Sequence, residues 1–370
     1  VTGPALAAIT LGARGGGVAV VSRLVWRALQ SRWGEAATLV QLLSEAEASQ
    51  SLESTTFDRM KFGTRLALEQ AMGRSSWILY SHPAVAQVQR FVPPRLRRPY
   101  AVFIHGIEVW RPLTIAQHAV LAGAALRLAN SEHTASRVRA LHPSLGPIAA
   151  CPLALPDDAH PGDRETALPV AVGPHAVIIV ARLDAAERYK GHDALLDAWP
   201  AVRARVADAQ LVVVGEGDDG PRLRAKAATL GVADAVLFTG FVDAPVRDAL
   251  YDRAAVFAMP SRGEGFGLAY LEAMSHGLPC IGSTHDAAGE IVDDAVTGFL
   301  VDQADPAALA DRIIRLLIDR DLRAAMGARG RARVSHEFTE SAFSARLLAH
   351  LDRAMPAGAA RPVSLAGPGA

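Results

Sequence analysis

Short apolar runs recur along this chain, each followed by a polar or glycine-rich turn and then by a segment of helical periodicity. This alternation restricts the fold more than any other feature. In the second half the runs are AVIIVARL (176–183), QLVVVGEG (210–217), AVLFTGFV (235–242), AAVFAMPS (254–261), PCIGST (279–284) and GFLVD (298–302). Helical stretches such as HDALLDAWPAVRARV and PAALADRIIRLLIDRDLRAAM fall between them. Strands that are apolar on both faces and alternate with helices make a parallel sheet covered on both sides. The first half repeats the pattern with ALAAITLGA (5–13), SWILYS (76–81), YAVFIHG (100–106) and LRLANS (126–131), and Ser131 is placed to cap the helix that carries Arg137 and Val138.

Between the halves lies PDDAHPGDRETALPVAVGPH (156–175), rich in Pro, Gly and charge, which reads as a linker. The expected class is therefore α/β, with two Rossmann-like domains at 1–160 and 170–335. Residues 336–355 read as a final helix and 356–370 as a disordered tail. A length of 370 residues suits two domains. Formal net charge is zero, which argues against nucleic acid as the main partner. Cys151 and Cys280 lack metal-ligand spacing and read as buried thiols of a reducing compartment. No secretory signal or apolar run long enough for a membrane span is apparent, so the expected location is cytoplasmic, with the inner membrane face open as a peripheral site.

The chemistry concentrates in PSRGEGFGLAYLEAMSHGLPC (260–280), a strand end, a glycine-rich turn and a helix start in succession. Backbone N–H groups at such a turn favour an anion. Glu264 stands before the helix and Glu272 lies within it, eight positions later. Two carboxylates beside an anion site make sense if the ligand is both phosphorylated and rich in hydroxyls, as a sugar nucleotide is. Arg182 and Lys190, in ARLDAAERYKGHD after another strand, could neutralise a diphosphate, above all a departing one. A surface arginine and a solvated lysine are the competing reading.

Other strand ends carry weaker signals. Gly15, Gly16 and Gly17 follow the first strand, where they either let backbone approach a phosphate or form a simple tight turn. GEGDDG (215–220) reads equally as a connecting loop or as contact with a nucleotide base. His105, in FIHGIEVW with Glu108 close behind, can donate to a sugar hydroxyl or phosphate oxygen, or serve as a hydrogen-bonded structural histidine. QRFVPPRLRR (89–98) is basic with an apolar component; it could touch an anionic membrane or a diphosphate-linked acceptor, against the alternative of a solvated loop.

These segments together resemble the family 4 retaining glycosyltransferases of the GT-B fold, most densely from Val177 to Val301. The resemblance implies two Rossmann-like domains facing each other across a deep cleft, with the final helix crossing back to the first. It implies that Glu264 holds hydroxyls of the transferred sugar, that Glu272 grips the ribose, and that Arg182 and Lys190 bind the diphosphate. Backbone at Phe266, Gly267 and Leu268 would contact phosphate, His105 would assist transfer near the sugar, and Gly15 to Gly17 would close the phosphate site. The implied activity is transfer of a hexosyl group from a nucleoside diphosphate sugar, with GDP-mannose first and a UDP-sugar next, to a saccharide or lipid-linked acceptor. No metal cofactor is expected. Two departures stand out: AAERY lengthens the gap between Arg182 and Lys190, and the amino-terminal glycine loop is short. A non-catalytic sugar-nucleotide binding module and a nucleotide-sugar epimerase are the alternatives.

Overall fold

The computed structural model describes residues 2–12, 16–50, 53–157 and 166–355. The chain divides into two compact units. The first comprises residues 1–130, 135–151 and 343–370; the second comprises 131–134 and 152–342. The change of unit at Cys151 and Pro152 precedes the proline- and glycine-rich stretch 156–175, of which 158–165 lie outside the described residues, as does the tail 356–370.

Each unit is built on a six-stranded, all-parallel sheet. In the first the strands are β1 (Ala5–Ala8), β2 (Thr38–Gln41), β3 (Ile78–Tyr80), β4 (Tyr100–Ile104), β5 (Leu126–Ala129) and β6 (Ala149–Ala150), in the order β2-β1-β3-β4-β5-β6. In the second they are β7 (Ala176–Val180), β8 (Gln210–Val214), β9 (Val236–Gly240), β10 (Val256–Ala258), β11 (Cys280–Ser283) and β12 (Gly298–Val301), in the order β12-β11-β10-β7-β8-β9. The second order is that of a dinucleotide-binding sheet, whereas the first follows the flavodoxin-like arrangement. The expectation of a parallel α/β architecture in each half is met, and the first sheet differs only in where its order reverses.

Burial explains why the apolar runs became strands. Ala5 to Ala8, Ile78 to Tyr80 and Ala176 to Ile179 are fully buried, so each strand is covered on both faces. Trp199, on the helix His192–Arg205, and Phe257, in β10, are among the largest fully buried side chains. The helix expected at 336–355 begins at Glu340, because residues up to Glu337 complete the preceding helix, Arg320–Glu337.

Strand order positions the chemistry. In a doubly wound sheet, loops at the carboxyl ends of the strands part where the order reverses, and ligands bind there. In the second unit that point lies between β7 and β10; in the first it lies between β1 and β3.

Candidate sugar-nucleotide site

The reversal between β7 and β10 brings together loops that are far apart in sequence. The loop after β7 carries Arg182 and then a 3-10 turn, Ala185–Lys190, formed by the AAERY insertion. The loop after β10 runs through Ser261 to Gly267 and opens the helix Leu268–Ser275. Lys190 Nζ meets Glu264 there, at 2.9 Å from Oε1 and 2.6 Å from Oε2. The two side chains are only 15% and 14% exposed. Burial opposes the Lys190 ammonium, but Glu264, Tyr189 and Glu187 together outweigh it and hold the lysine pKa above its ordinary value.

Two glycines allow the loops this close. A Cβ at Gly263 would lie 2.7 Å from the Tyr189 ring. Gly267 has φ +101° and precedes the helix, and a Cβ there would meet the Tyr270 ring at 2.5 Å. The helix begins at Leu268, so the N–H groups at its start are those of the segment to which Phe266, Gly267 and Leu268 belong. The Phe266 side chain is buried against Phe338, which leaves its backbone to serve the turn. The Gly265 carbonyl accepts from Ser131 Oγ at 2.6 Å and Thr134 Oγ1 at 3.1 Å. Ser131 also fulfils its expected capping role by accepting from Thr134 N at 2.9 Å.

Glu272 points elsewhere. Tyr251 Oη lies 3.2 Å from Glu272 Oε2, and Arg247 Nε lies 3.7 Å from the same oxygen. Burial raises the Glu272 pKa, while Arg247 and the Tyr251 hydrogen bond pull it back down. Arg247 and Tyr251 lie on the helix Ala244–Arg253, and no sequence signal marks them as partners of Glu272.

Arg182 is mostly exposed and pairs with Glu187 through Nη2 and with Asp184 through Nη1 at 3.5 Å. The cations expected to bind a diphosphate are thus held by the protein's own carboxylates, Lys190 by Glu264 and Arg182 by Glu187. Behind them, Asp219 accepts from Arg188 Nη2 at 2.8 Å and from Arg222 Nη2 at 2.6 Å, and Arg222 Nη2 also reaches Asp193 at 2.6 Å. Asp219 belongs to the GEGDDG loop, and this network gives that loop the work of holding the turn that carries Lys190.

A further carboxyl lies behind Glu264. Asp286 accepts from Glu264 N at 3.1 Å and from Ala288 N at 3.0 Å. It follows β11, so the rule that picked out the other strand-end residues would have found it.

In the first unit, His105 follows β4 and its Nε2 lies 2.6 Å from Ser81 O. A carbonyl only accepts, so Nε2 carries the hydrogen, and in the neutral ring Nδ1 is an acceptor. Donation by His105 to a sugar or phosphate oxygen would therefore require the protonated ring. Glu108 Oε1 receives His105 N at 2.6 Å. The His82 ring, at the end of β3, stacks on His105 with centroids 5.4 Å apart, and sequence reasoning passed over it. Gly16 has φ +59° with open space where a Cβ would be, and Gly17 follows it in the helix Gly16–Trp33, while Gly15 lies outside the described residues. Among the described residues no group of three His, Cys, Asp or Glu side chains is placed to hold a metal ion.

Comparison with known proteins shows what this chain is similar to in sequence and fold. The family model described as glycosyl transferases group 1 matches residues 174–319, the span that holds Arg182, Lys190, Glu264, Glu272 and Asp286. A GDP-mannose-dependent alpha-(1-6)-phosphatidylinositol monomannoside mannosyltransferase of Mycobacterium tuberculosis is 41% identical over 165 residues, covering 43% of this chain and 43% of the relative. A D-inositol 3-phosphate glycosyltransferase of Salinispora arenicola is 39% identical over 165 residues, covering 42% of this chain and 37% of the relative. The match thus spans less than half the length of these relatives. Among solved structures, sucrose-phosphate synthase from Thermosynechococcus elongatus superposes with TM-score 0.76 at 20% identity, covering 95% of this chain and 98% of that one. Anabaena HepE in complex with UDP and glucose superposes with TM-score 0.72 at 17% identity, covering 95% and 99%. Residues 174–319 therefore match the glycosyl transferases group 1 model, and the chain that carries them shares the GT-B fold of these solved structures.

Proposed function

We propose that this protein is a retaining glycosyltransferase that moves a hexosyl group from a nucleoside diphosphate sugar to a saccharide or lipid-linked acceptor. The observation that carries the reading is the meeting of Lys190 and Glu264, with a helix N-terminus beside them, at the reversal of strand order. Lys190, Arg182 and the helix start supply positive charge for a diphosphate. Glu264 accepts hydroxyls of the sugar and Glu272 those of the ribose. The donor exchanges partners with the protein: its diphosphate draws Lys190 from Glu264, and a sugar hydroxyl takes the vacated carboxylate.

Among the named candidates no carboxylate is free to act as a nucleophile, which favours reaction on one face of the sugar. The bond from the anomeric carbon to the phosphate oxygen breaks with its electron pair leaving on the diphosphate. The acceptor oxygen forms its bond on the same face, and its proton passes to a phosphate oxygen. Arg182 and Lys190 stabilise the departing charge, so a divalent cation is not required. GDP-mannose is the first donor to test, on the names of the relatives reported above.

The acceptor side of the reading rests on the first unit. The helix Thr56–Ala71 turns Phe57, Met60 and Leu68 to solvent, with Met72 just beyond, and the segment 87–98 adds Phe91 and Leu96. Gln70 joins the two, taking Gln89 Nε2 at 3.2 Å and Arg98 N at 3.1 Å. Residues 56–98 hold eight Arg or Lys against two Asp or Glu, in a chain of zero formal charge. An apolar stripe flanked by cations suits an anionic lipid surface. Asp58, Lys61 and Arg65 of the same helix also wall a cavity of about 180 Å³, shared with Gln41, Ser44 and Glu47, whose polar lining suits an acceptor headgroup.

Thermal shift with GDP, UDP, ADP and dTDP tests the donor reading. A nucleotide present at about 100 times its Kd adds about 2.7 kcal/mol. The expected result is a rise with one base above the others; no shift with any of the four would overturn it.

A further inference from the structure

We propose that Asp286 is a positioning residue of the donor site, fixing the backbone of Glu264 so that the enzyme prefers a sugar nucleotide to the bare nucleotide. The inference rests on the donor reading above, in which Glu264 faces the sugar.

The geometry is a clamp. One oxygen of Asp286 accepts Glu264 N at 3.1 Å and the other accepts Ala288 N at 3.0 Å, while Ala287 N returns a bond to Glu264 O at 3.2 Å. The turn at 286–288 therefore holds the backbone of Glu264 from both its N–H and its carbonyl. Asp286 is 7% exposed, and the Ser261 hydroxyl, fully buried at the end of β10, also bonds to it. Every neighbour bonded to Asp286 is a donor, an arrangement that suits a carboxylate.

The charged and titratable groups around it are few. Glu264 faces it from the loop before the helix, with Lys190 on the far side of Glu264. Tyr270 approaches from the helix itself. His285, next in the chain, turns away to Asp302, and Glu290 is turned to the backbone N–H of Glu132 and His133. Among the described residues no cation bonds directly to Asp286. Burial, followed among the opposing effects by Glu264, pushes its pKa up to about 7 against three hydrogen bonds that lower it.

Protonation removes one good acceptor oxygen, so one of the two N–H groups loses its partner and Glu264 loosens. Lys190 and the diphosphate are common to a sugar nucleotide and a nucleotide alone. The terminal phosphate of the bare nucleotide takes a proton at about pH 6 and the sugar nucleotide does not, so the effect of Asp286 is read as the difference between the affinity ratios of wild type and Asp286→Asn, in which that titration is shared.

The test compares GDP-mannose with GDP by calorimetry between pH 5.5 and 8.5, in wild type and Asp286→Asn. Relative to Asp286→Asn, the wild-type preference for GDP-mannose should fall about five- to tenfold on acidification through about pH 7, the net worth of one ordinary hydrogen bond. Asp286→Asn should show only the nucleotide's own titration and a lower preference than wild type above about pH 7, because its amide cannot accept both N–H groups. Wild-type and variant ratios that run parallel across this range overturn the proposal. A ligand-free arm separates this from the donor reading. With a raised folded pKa, wild type should lose stability relative to Asp286→Asn as pH rises from the ordinary aspartate range to about 7, and parallel stability curves would also overturn the proposal. If GDP-mannose binds neither protein while the stability curves diverge, the donor reading fails and the protonation of Asp286 stands.

Discussion

Lys190 and Glu264 form a buried pair that the donor must open. Each is the other's counter-charge at 2.6 Å, and removing one leaves the other uncompensated. Lys190→Met should therefore destabilise the protein by about 3 kcal/mol, and adding Glu264→Gln should recover much of that loss. Urea denaturation of the two variants measures it, and equal stability of single and double variants would show that the pair carries no such coupling. The sequence made both residues candidates, since each follows a strand end in a polar frame. It could not reveal their pairing, because they lie 74 positions apart and meet only through the order of β7 and β10. Arg247 and Tyr251 were hidden for the same reason: their partner Glu272 is reached across helices.

Elements were legible where burial was two-sided. All six strands of the second unit and four of the first coincide with apolar runs, whereas TLVQ, half-buried with mixed polarity, and the two-residue β6 gave no such signal. Turn chemistry was legible too. Gly267 combines φ +101° with a ring 2.5 Å from any added Cβ, so Gly267→Ala should destabilise by about 1–3 kcal/mol and weaken nucleotide binding. A variant with unaltered melting and affinity would contradict this account of the turn. Two histidines at element starts bear on acid stability. Burial lowers the pKa of His82 and of His192 from 6.5 to about 4, so between those values the unfolded chain binds the protons. Stability should fall as pH drops from 6.5 toward 4, and His192→Asn should flatten part of that slope; an unchanged slope in the variant would contradict it.

At the scale of the molecule, zero net charge conceals an uneven distribution. The stretch 56–98 holds the basic excess and six large exposed apolar residues: Phe57, Met60, Leu68, Met72, Phe91 and Leu96. No helix of the described residues is long and apolar enough to cross a membrane, so any attachment through them would be at the surface. The protein should float with vesicles containing phosphatidylglycerol and remain behind with pure phosphatidylcholine, and Phe57→Ser with Phe91→Ser should release it. Equal recovery with both lipids, or full retention by the double variant, would refute a lipid role for this face. The 89–98 segment was visible in sequence as basic and apolar. The helical stripe beside it was not, because Phe57, Met60, Leu68 and Met72 fit a core-facing pattern until the structure turned them outward.

If Arg182 and Glu264 belong to one donor site, loss of either should stop the chemistry. Release of nucleotide from GDP-mannose, followed by coupled assay in wild type, Arg182→Ala and Glu264→Ala at matched folding, tests it most directly. Wild type should release nucleotide measurably and each variant should lose at least about 100-fold, in the range of removing a group that stabilises developing charge. Wild-type rates in both variants would contradict it.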